Sequence, residues 1–130
     1  MTAPGQPDIE IYVRDAGVEE IRAWLEKRLG SLAAEPARGL MAHFRAERDG
    51  EAIPVRVMPG AVAKHWTSVW LDSPDTPWAS DLACARDCFS FIGKEVRCAA
   101  GGWHEDDEED PDAFIRVDAD GEAQISWKTT

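Results

Sequence analysis

The chain has 130 residues, of which 44% are hydrophobic and 30% charged, a composition typical of one globular domain and not of a disordered chain. Its net charge of −11 argues against nucleic-acid and anionic-membrane partners, because such surfaces bind clustered lysine and arginine. Three cysteines are an odd number, which excludes a fully paired set of disulfides within one chain.

The first elements follow from side-chain periodicity. Residues 1–7 contain two prolines and a glycine and are predicted to be a disordered tail, with a single domain over 8–130. Ile9, Ile11 and Val13 alternate with polar residues, which predicts a half-buried strand. Asp15 is the expected cap of a helix that ends at Gly30, and residues 31–39 are expected to form a loop.

A hairpin and a further strand come next. Two alternating segments, 42–47 and 53–58, flank Asp49-Gly50, the dipeptide preferred in two-residue hairpin turns. Pro54 lacks an N–H group and therefore predicts an edge position or a bulge. Residues 63–71 are predicted to form the next strand.

The second helix is expected to begin with Thr76 as its cap and to end at Gly93. Its apolar stripe is predicted to comprise Trp78, Leu82, Ala85, Phe89 and Ile92, widened by Cys84, Cys88 and Phe91. After a strand at 96–100 and a loop at 101–112, a last hairpin is predicted. Its inward side chains are Ile115 and Val117 on one strand and Ala123, Ile125 and Trp127 on the other.

The predicted order is therefore β-α-β-β-β-α-β-β-β. Short links favour antiparallel pairing, and alternation favours a sheet with one solvated face. The sequence predicts an α+β two-layer sandwich, a mainly antiparallel sheet with two helices on one face. We find no internal repeat.

Arginines concentrate on the predicted outer face of this sheet, where they could bind an anionic ligand or an acidic segment of a partner. In the alternative interpretation they pair with acidic neighbours across the strands. The strand at 63–71 has large apolar side chains on both sides, so its tryptophans either face a partner or are shielded by a loop, such as that carrying Trp103. The predicted ligand or partner surface consists of Tyr12, Arg45, Arg56, Trp66, Trp70, Arg97 and Arg116.

Seven of the 25 acidic residues lie between positions 105 and 112. Such a run is either a solvated loop or a site for a basic partner. The residues predicted for this acidic partner loop are Glu105, Asp106, Asp107, Glu108, Glu109 and Asp110.

Motifs for chemistry are weak. Cys84, Cys88, Cys98 and His104 lack the short paired spacing of zinc sites, and neither a catalytic constellation nor a phosphate-binding loop is recognisable. We therefore predict no metal, no cofactor and no catalytic residue.

The leading functional hypothesis is a non-enzymatic protein-binding module, whose partner is another protein or a second copy of the chain. The alternative is a small-molecule binder or an enzyme that uses the arginine-lined face for an anionic ligand. Unpaired cysteines and the lack of a signal peptide predict a cytoplasmic location.

Overall fold

The structure is a computed structural model that describes residues 8–37, 39–100 and 112–128. These ranges contain eight strands and two helices. The elements are β1 (Ile9–Arg14), α1 (Val18–Leu29), β2 (Ala33–Glu35), β3 (Ala42–Arg48), β4 (Glu51–Pro59), β5 (Trp66–Leu71), α2 (Asp81–Ile92), β6 (Val96–Ala99), β7 (Ala113–Asp118) and β8 (Gly121–Ser126). Within the described ranges, neither helix is long and apolar enough to cross a membrane.

All eight strands form one sheet in the order β2-β3-β4-β5-β1-β6-β7-β8, and every neighbouring pair is antiparallel. The first strand in the sequence therefore lies in the middle of the sheet. β2 was missed in the sequence, because three residues with no apolar alternation cannot be distinguished from a loop.

The core lies between one face of the sheet and the two helices. Ile11 and Val13 of β1 lie opposite Val69 and Thr67 of β5 and are fully buried. α1 packs against β3 and β4, and α2 packs against β1, β6 and β7. The buried side chains of both helices and of the sheet form one cluster. The predicted α+β class with two layers is thus confirmed.

A single carboxylate joins the two helices. Asp87 of α2 accepts hydrogen bonds at Oδ2 from Trp24 Nε1 of α1 at 3.2 Å and from Trp78 Nε1 at 3.1 Å. Arg28 Nε of α1 donates to the same oxygen at 2.7 Å. Trp24 is fully buried and its ring centroid lies 5.3 Å from that of Trp78. Asp87 therefore satisfies both indole N–H groups where the helices meet, since a buried polar group without a partner is costly.

The predicted start of α2 was wrong. The helix begins at Asp81, and Ser80 is its cap, with Oγ accepting from Ala83 N at 3.1 Å. Thr76 Oγ1 instead donates to the Trp78 carbonyl at 3.2 Å, so this segment is an ordered loop. Phe91 is 41% exposed and lies outside the buried stripe.

The predicted cap of α1 was wrong as well. Gly17, not Asp15, precedes the first turn of α1. Asp15 has a φ of 54°, in the left-handed region, and its backbone N–H donates to the His65 carbonyl at 2.7 Å. Asp15 therefore ends β1 with a tight turn and does not cap the helix.

The β3–β4 hairpin forms as predicted, with φ of 53° at Asp49 and 82° at Gly50. The inference from Pro54 to an edge strand was wrong, because β4 lies between β3 and β5. The pairing of β4 with β5 begins only at Val55, which lies opposite Leu71. Beyond that point Asp72 N donates to the Pro54 carbonyl at 2.9 Å, and no strand partner requires a donor from the proline.

We predict that Asp87→Ala lowers the free energy of unfolding by about 2–4 kcal/mol, because two indole donors lose their acceptor. Asp87→Asn is the control and should cost less, since its amide oxygen can still accept. Urea unfolding followed by circular dichroism measures both changes. Equal losses for the two variants would contradict the role of the oxygen as acceptor.

The Asp87 interactions also predict a pH dependence. The hydrogen bond from Arg28 holds the pKa of Asp87 below its ordinary value, against the opposing effect of burial. A lowered folded-state pKa adds stability above the unfolded pKa of about 3.9, and this is lost as the pH falls through the lower folded value. The stability difference between wild type and Asp87→Asn should therefore shrink below pH of about 4.

Candidate functional site

The strand register places the predicted surface residues on one face. Directly opposed residues point to the same side of a sheet, and the opposed pairs here connect Arg56 with Trp70, Tyr12 with Arg97, and Arg97 with Arg116. Arg45 and Trp66 belong to the same alternation as Arg56 and Trp70. All seven residues thus lie on the face opposite to the helices: Tyr12, Arg45, Arg56, Trp66, Trp70, Arg97 and Arg116.

An aromatic cluster covers this face over β1 and β6–β8. Trp127, just after β8, lies with its ring centroid 4.7 Å from that of Trp66, 5.1 Å from Phe114 and 5.5 Å from Tyr12. The Arg97 guanidinium carbon is 4.5 Å from the Trp66 ring centroid and 4.7 Å from that of Trp127. Such contacts combine cation–π attraction with apolar burial. The side chains of this half of the outer face therefore shield one another from solvent.

The aromatic cluster agrees with the shielded interpretation of Trp66 and corrects the expectation that Ala123, Ile125 and Trp127 face inward. Trp66 is only 7% exposed, because Trp127 and Arg97 lie over it, so it does not face solvent. Ile125 lies opposite Phe114, which places the apolar residues of β8 on the outer face and not in the core. The reason is that α2 packs against β1, β6 and β7, so β8 lies at the margin of the helical layer, where its helix-side residue Glu122 forms an ion pair with Arg86 of α2 at 2.6 Å.

Trp127 is the surface residue whose position sequence reasoning missed. It shares the alternation of Ala123 and Ile125, and alternation alone does not say which side of an edge strand faces the core. The side of the sheet on which Trp127 lies follows from the register of the β7–β8 hairpin. The register aligns Ile125 with Phe114 of the outer face and not with Val117 of the core.

Most arginines of the outer face have carboxylate partners, but of the predicted set only Arg45 pairs across strands as the alternative interpretation expected, while Arg97 and Arg116 pair with residues two positions away in the chain. Arg97 Nε lies 2.8 Å from Glu95, and both side chains are mostly buried. Arg45 Nε lies 3.8 Å from Glu35. Arg116 Nε is 3.0 Å from Asp118 Oδ2, an ion pair in which the N–H does not point at the oxygen. Arg14, beside the predicted set, contacts Asp15 and Glu95.

Arg56 differs from these arginines. Its Nη1 donates to the Val55 carbonyl at 3.4 Å, and no described carboxylate lies within ion-pair distance of it. Trp70 lies directly opposite on β5, and His43 directly opposite on β3. The Trp70 indole is fixed by its Nε1, which donates to Asp8 Oδ2 at 2.7 Å. With Met58, which is also half-buried, these residues form the β3–β5 surface: His43, Arg56, Met58 and Trp70.

A small polar group lies at the start of β1, where Glu10 is directly opposite Trp70. The Glu10 backbone N–H donates to Asp81 Oδ1 at 3.1 Å. Burial and the charges of Asp81 and Asp8 raise the pKa of Glu10. Burial, the nearby Glu10 carboxylate and a hydrogen bond to it raise the pKa of Tyr12 to about 12. The phenol of Tyr12 is therefore a neutral donor at physiological pH and does not serve as a base.

We predict that Tyr12 titrates with a pKa of about 12, above the ordinary tyrosine value of about 10. It is the one tyrosine of the chain, so phenolate absorbance reports it alone. Glu10→Gln should lower the midpoint because it removes the adjacent negative charge, and the urea-unfolded chain should titrate near 10. A native midpoint near 10 would contradict the contact with Glu10.

An open depression of about 270 Å³ lies beside the turn that follows β1. It is lined by Arg14, Asp15, Lys94 and Glu95. Lys94 Nζ donates to the Asp15 carbonyl at 2.6 Å and to Glu20 at 2.8 Å, and Arg14 Nη1 is 3.5 Å from Glu95. Because its charges are satisfied by one another, the depression presents neither a nucleophile nor an unpaired base.

The three cysteines are buried and free. Burial raises the pKa of Cys84 and Cys88 well above the ordinary thiol value and that of Cys98 to about 12. Metal ligation and nucleophilic attack both need the thiolate, which burial disfavours. No group of three metal-ligand side chains is found among the residues that the structure describes, and His104 lies outside them.

These thiols should be unreactive in the folded protein. We predict that a disulfide reagent labels none of the three at pH 8 over the time in which it labels all three in urea, because burial keeps them protonated and inaccessible. The control is Ser90→Cys on the exposed side of α2, which should react at once. Rapid native labelling of Cys84, Cys88 or Cys98 would contradict their buried placement.

The predicted acidic partner loop cannot be compared with the structure, because Glu105–Asp110 lie outside the described residues. Comparison with protein-family models, with curated proteins and with solved structures yields no match to this chain.

Proposed function

We propose that the chain is a non-enzymatic protein-binding module that contacts its partner through the β3–β5 surface. The observation that carries the proposal is Arg56, a half-buried guanidinium with no carboxylate partner among the described residues, beside a fixed tryptophan. Arginine and tryptophan are the residues most enriched at the centres of interfaces, where they supply donors and apolar area together.

The chemistry of this surface specifies what a partner must present. Arg56 requires an acceptor, and a carboxylate is the acceptor that its fork binds best. Trp70, opposite Arg56, and Met58, two residues along β4, offer apolar area beside the guanidinium. A segment with an acidic residue next to an aromatic or aliphatic one would satisfy both, while the net charge of −11 favours a partner that is basic overall.

A small-molecule or enzymatic function has less support. An anionic substrate needs several converging, unpaired arginines, whereas Arg45, Arg97 and Arg116 each lie against an acidic residue of the same chain. The buried, protonated thiols likewise offer no nucleophile. The net charge opposes a nucleic-acid partner. Three free cysteines support a reducing compartment, and we infer the cytoplasm.

The test uses a displayed library of random peptides selected on the wild-type protein. We expect the bound peptides to be enriched in acidic residues next to aromatic ones. Arg56→Glu and Trp70→Ala should each weaken their binding by at least about tenfold, which corresponds to a loss of about 1.4 kcal/mol and is more than most interface residues cost when truncated.

The control is Lys27→Glu, which makes the same change in charge on the exposed side of α1 and should leave binding unchanged. Thermal unfolding establishes that all three variants are folded. Peptides that bind Arg56→Glu and Trp70→Ala as tightly as wild type would overturn the assignment of this surface.

A further inference from the structure

The free side of β8 is an open sheet edge. Trp127 N donates to the Asp112 carbonyl at 2.7 Å, and the same register pairs Ile125 with Phe114 and Ala123 with Arg116. The odd-numbered residues therefore direct their backbone groups to β7, while Gln124 and Ser126 direct theirs away from it. In the described part of the chain no strand lies on that side.

The two edges of the sheet differ in how they are protected. β2 at the other edge has three residues and is followed by Pro36, and both features discourage the addition of a strand. β8 has six residues, without proline or lysine. The charge that it does carry, Glu122, is held by Arg86 of α2 through two hydrogen bonds of 2.6 and 2.9 Å. Within the part of the chain that the structure describes, β8 therefore lacks the usual protection of an edge strand.

β8 is also complementary to itself. In an antiparallel pair formed around a two-fold axis at Gln124, each Gln124 faces its copy, and the outward backbone groups of both strands meet. Glu122 then lies opposite Ser126 of the second copy, so acidic side chains do not face each other. Asp120 in the exposed turn comes close to the exposed Lys128 of the second copy, an attraction that occurs twice.

The helices leave room for this pairing. α2 packs over β1, β6 and β7 and does not extend across β8. In the paired sheet the two β6 strands would be five strand spacings apart, about 24 Å, while a helix with its side chains is about 10 Å wide. The two α2 helices would thus flank the axis without contact.

We propose that the chain forms a symmetric homodimer in which β8 of each copy pairs antiparallel with the other, giving one sheet of sixteen strands. The backbone supplies the affinity and the register at Gln124 supplies the specificity. Because the contact is an edge and not a broad face, the dimer is weak and dissociates on dilution. It does not involve the β3–β5 surface, so either proposal can fail without the other.

The test is sedimentation velocity on the full chain from micromolar to near-millimolar concentration. Wild type should shift from monomer to dimer. Gln124→Lys and Gln124→Glu should each remain monomeric, because like charges would face each other across the axis. An equimolar mixture of the two should recover the dimer, since opposite charges then meet.

The matched control places the same two substitutions at Ala23, which is exposed on α1. Ala23→Lys and Ala23→Glu should dimerise as wild type does, and Arg56→Glu should also be unaffected. The proposal is overturned if wild type is monomeric throughout, if the Gln124 variants dimerise like wild type, or if their mixture remains monomeric. If wild type is monomeric throughout, the edge of β8 would be free to pair with a strand of another protein.

Discussion

The structure is governed by a mismatch in area between its two layers. Each helix with its side chains is about 10 Å wide, whereas eight strands span about 34 Å. Two such helices cover most of one face of the sheet, and the described residues place no second layer on the other face. Because neither of the described helices covers the outer face, its arginine and aromatic side chains must themselves shield the sheet from water.

The two halves of the outer face differ in how far side chains cover the sheet. Over β1 and β6–β8, Trp127 folds back across Trp66, with Arg97 stacked on both rings and bound to Glu95. This is a small core built without a helix. Over β3–β5 no comparable cover is found among the described residues, and Arg56 and Trp70 remain half-buried. This uncovered area combines a fixed indole with a guanidinium that no described carboxylate neutralises, and it is the surface that we propose for a protein partner.

Alternation was sufficient to predict the class of the fold and the shared face of the candidate residues. Alternation predicted that Arg56 and Trp70 share a face, but their direct opposition depends on the pairing of β4 with β5, which alternation does not predict. Edge elements were harder. β2 is too short to show a period, and β8 has apolar residues on the side that the helices do not cover. Helical spacing predicts for the first helix an apolar stripe that omits Trp24, although Trp24 is the largest fully buried side chain among the described residues. That stripe consists of Val18, Ile21, Leu25, Leu29 and Leu32.

Which residues have partners could not be read from the sequence. The alternative interpretation expected acidic partners for the arginines, and Arg97 has one in Glu95, but the partner of Arg45 is Glu35 of β2, a strand that the sequence did not predict. The start of α2 was misplaced because Thr76-Pro77 resembles a helix start while Ser80 provides the actual cap. Ion-pair partners and helix caps depend on which acceptor or donor lies within hydrogen-bond distance after folding, and this is a property of tertiary structure.

The central position of β1 has a consequence for how the chain folds. Ile9 pairs with Leu71, and Val13 pairs with both Thr67 and Val96. β1 therefore cannot form its strand pairs until β5 and β6, which follow it in the sequence, have been synthesised. On one side of it β2–β5 form a continuous meander, and on the other β6–β8 form a second. Closing such distant contacts costs chain entropy before it yields any burial, which is typical of slow folding. A chain that lacked β1 would retain two separate antiparallel units with no backbone hydrogen bonds between them.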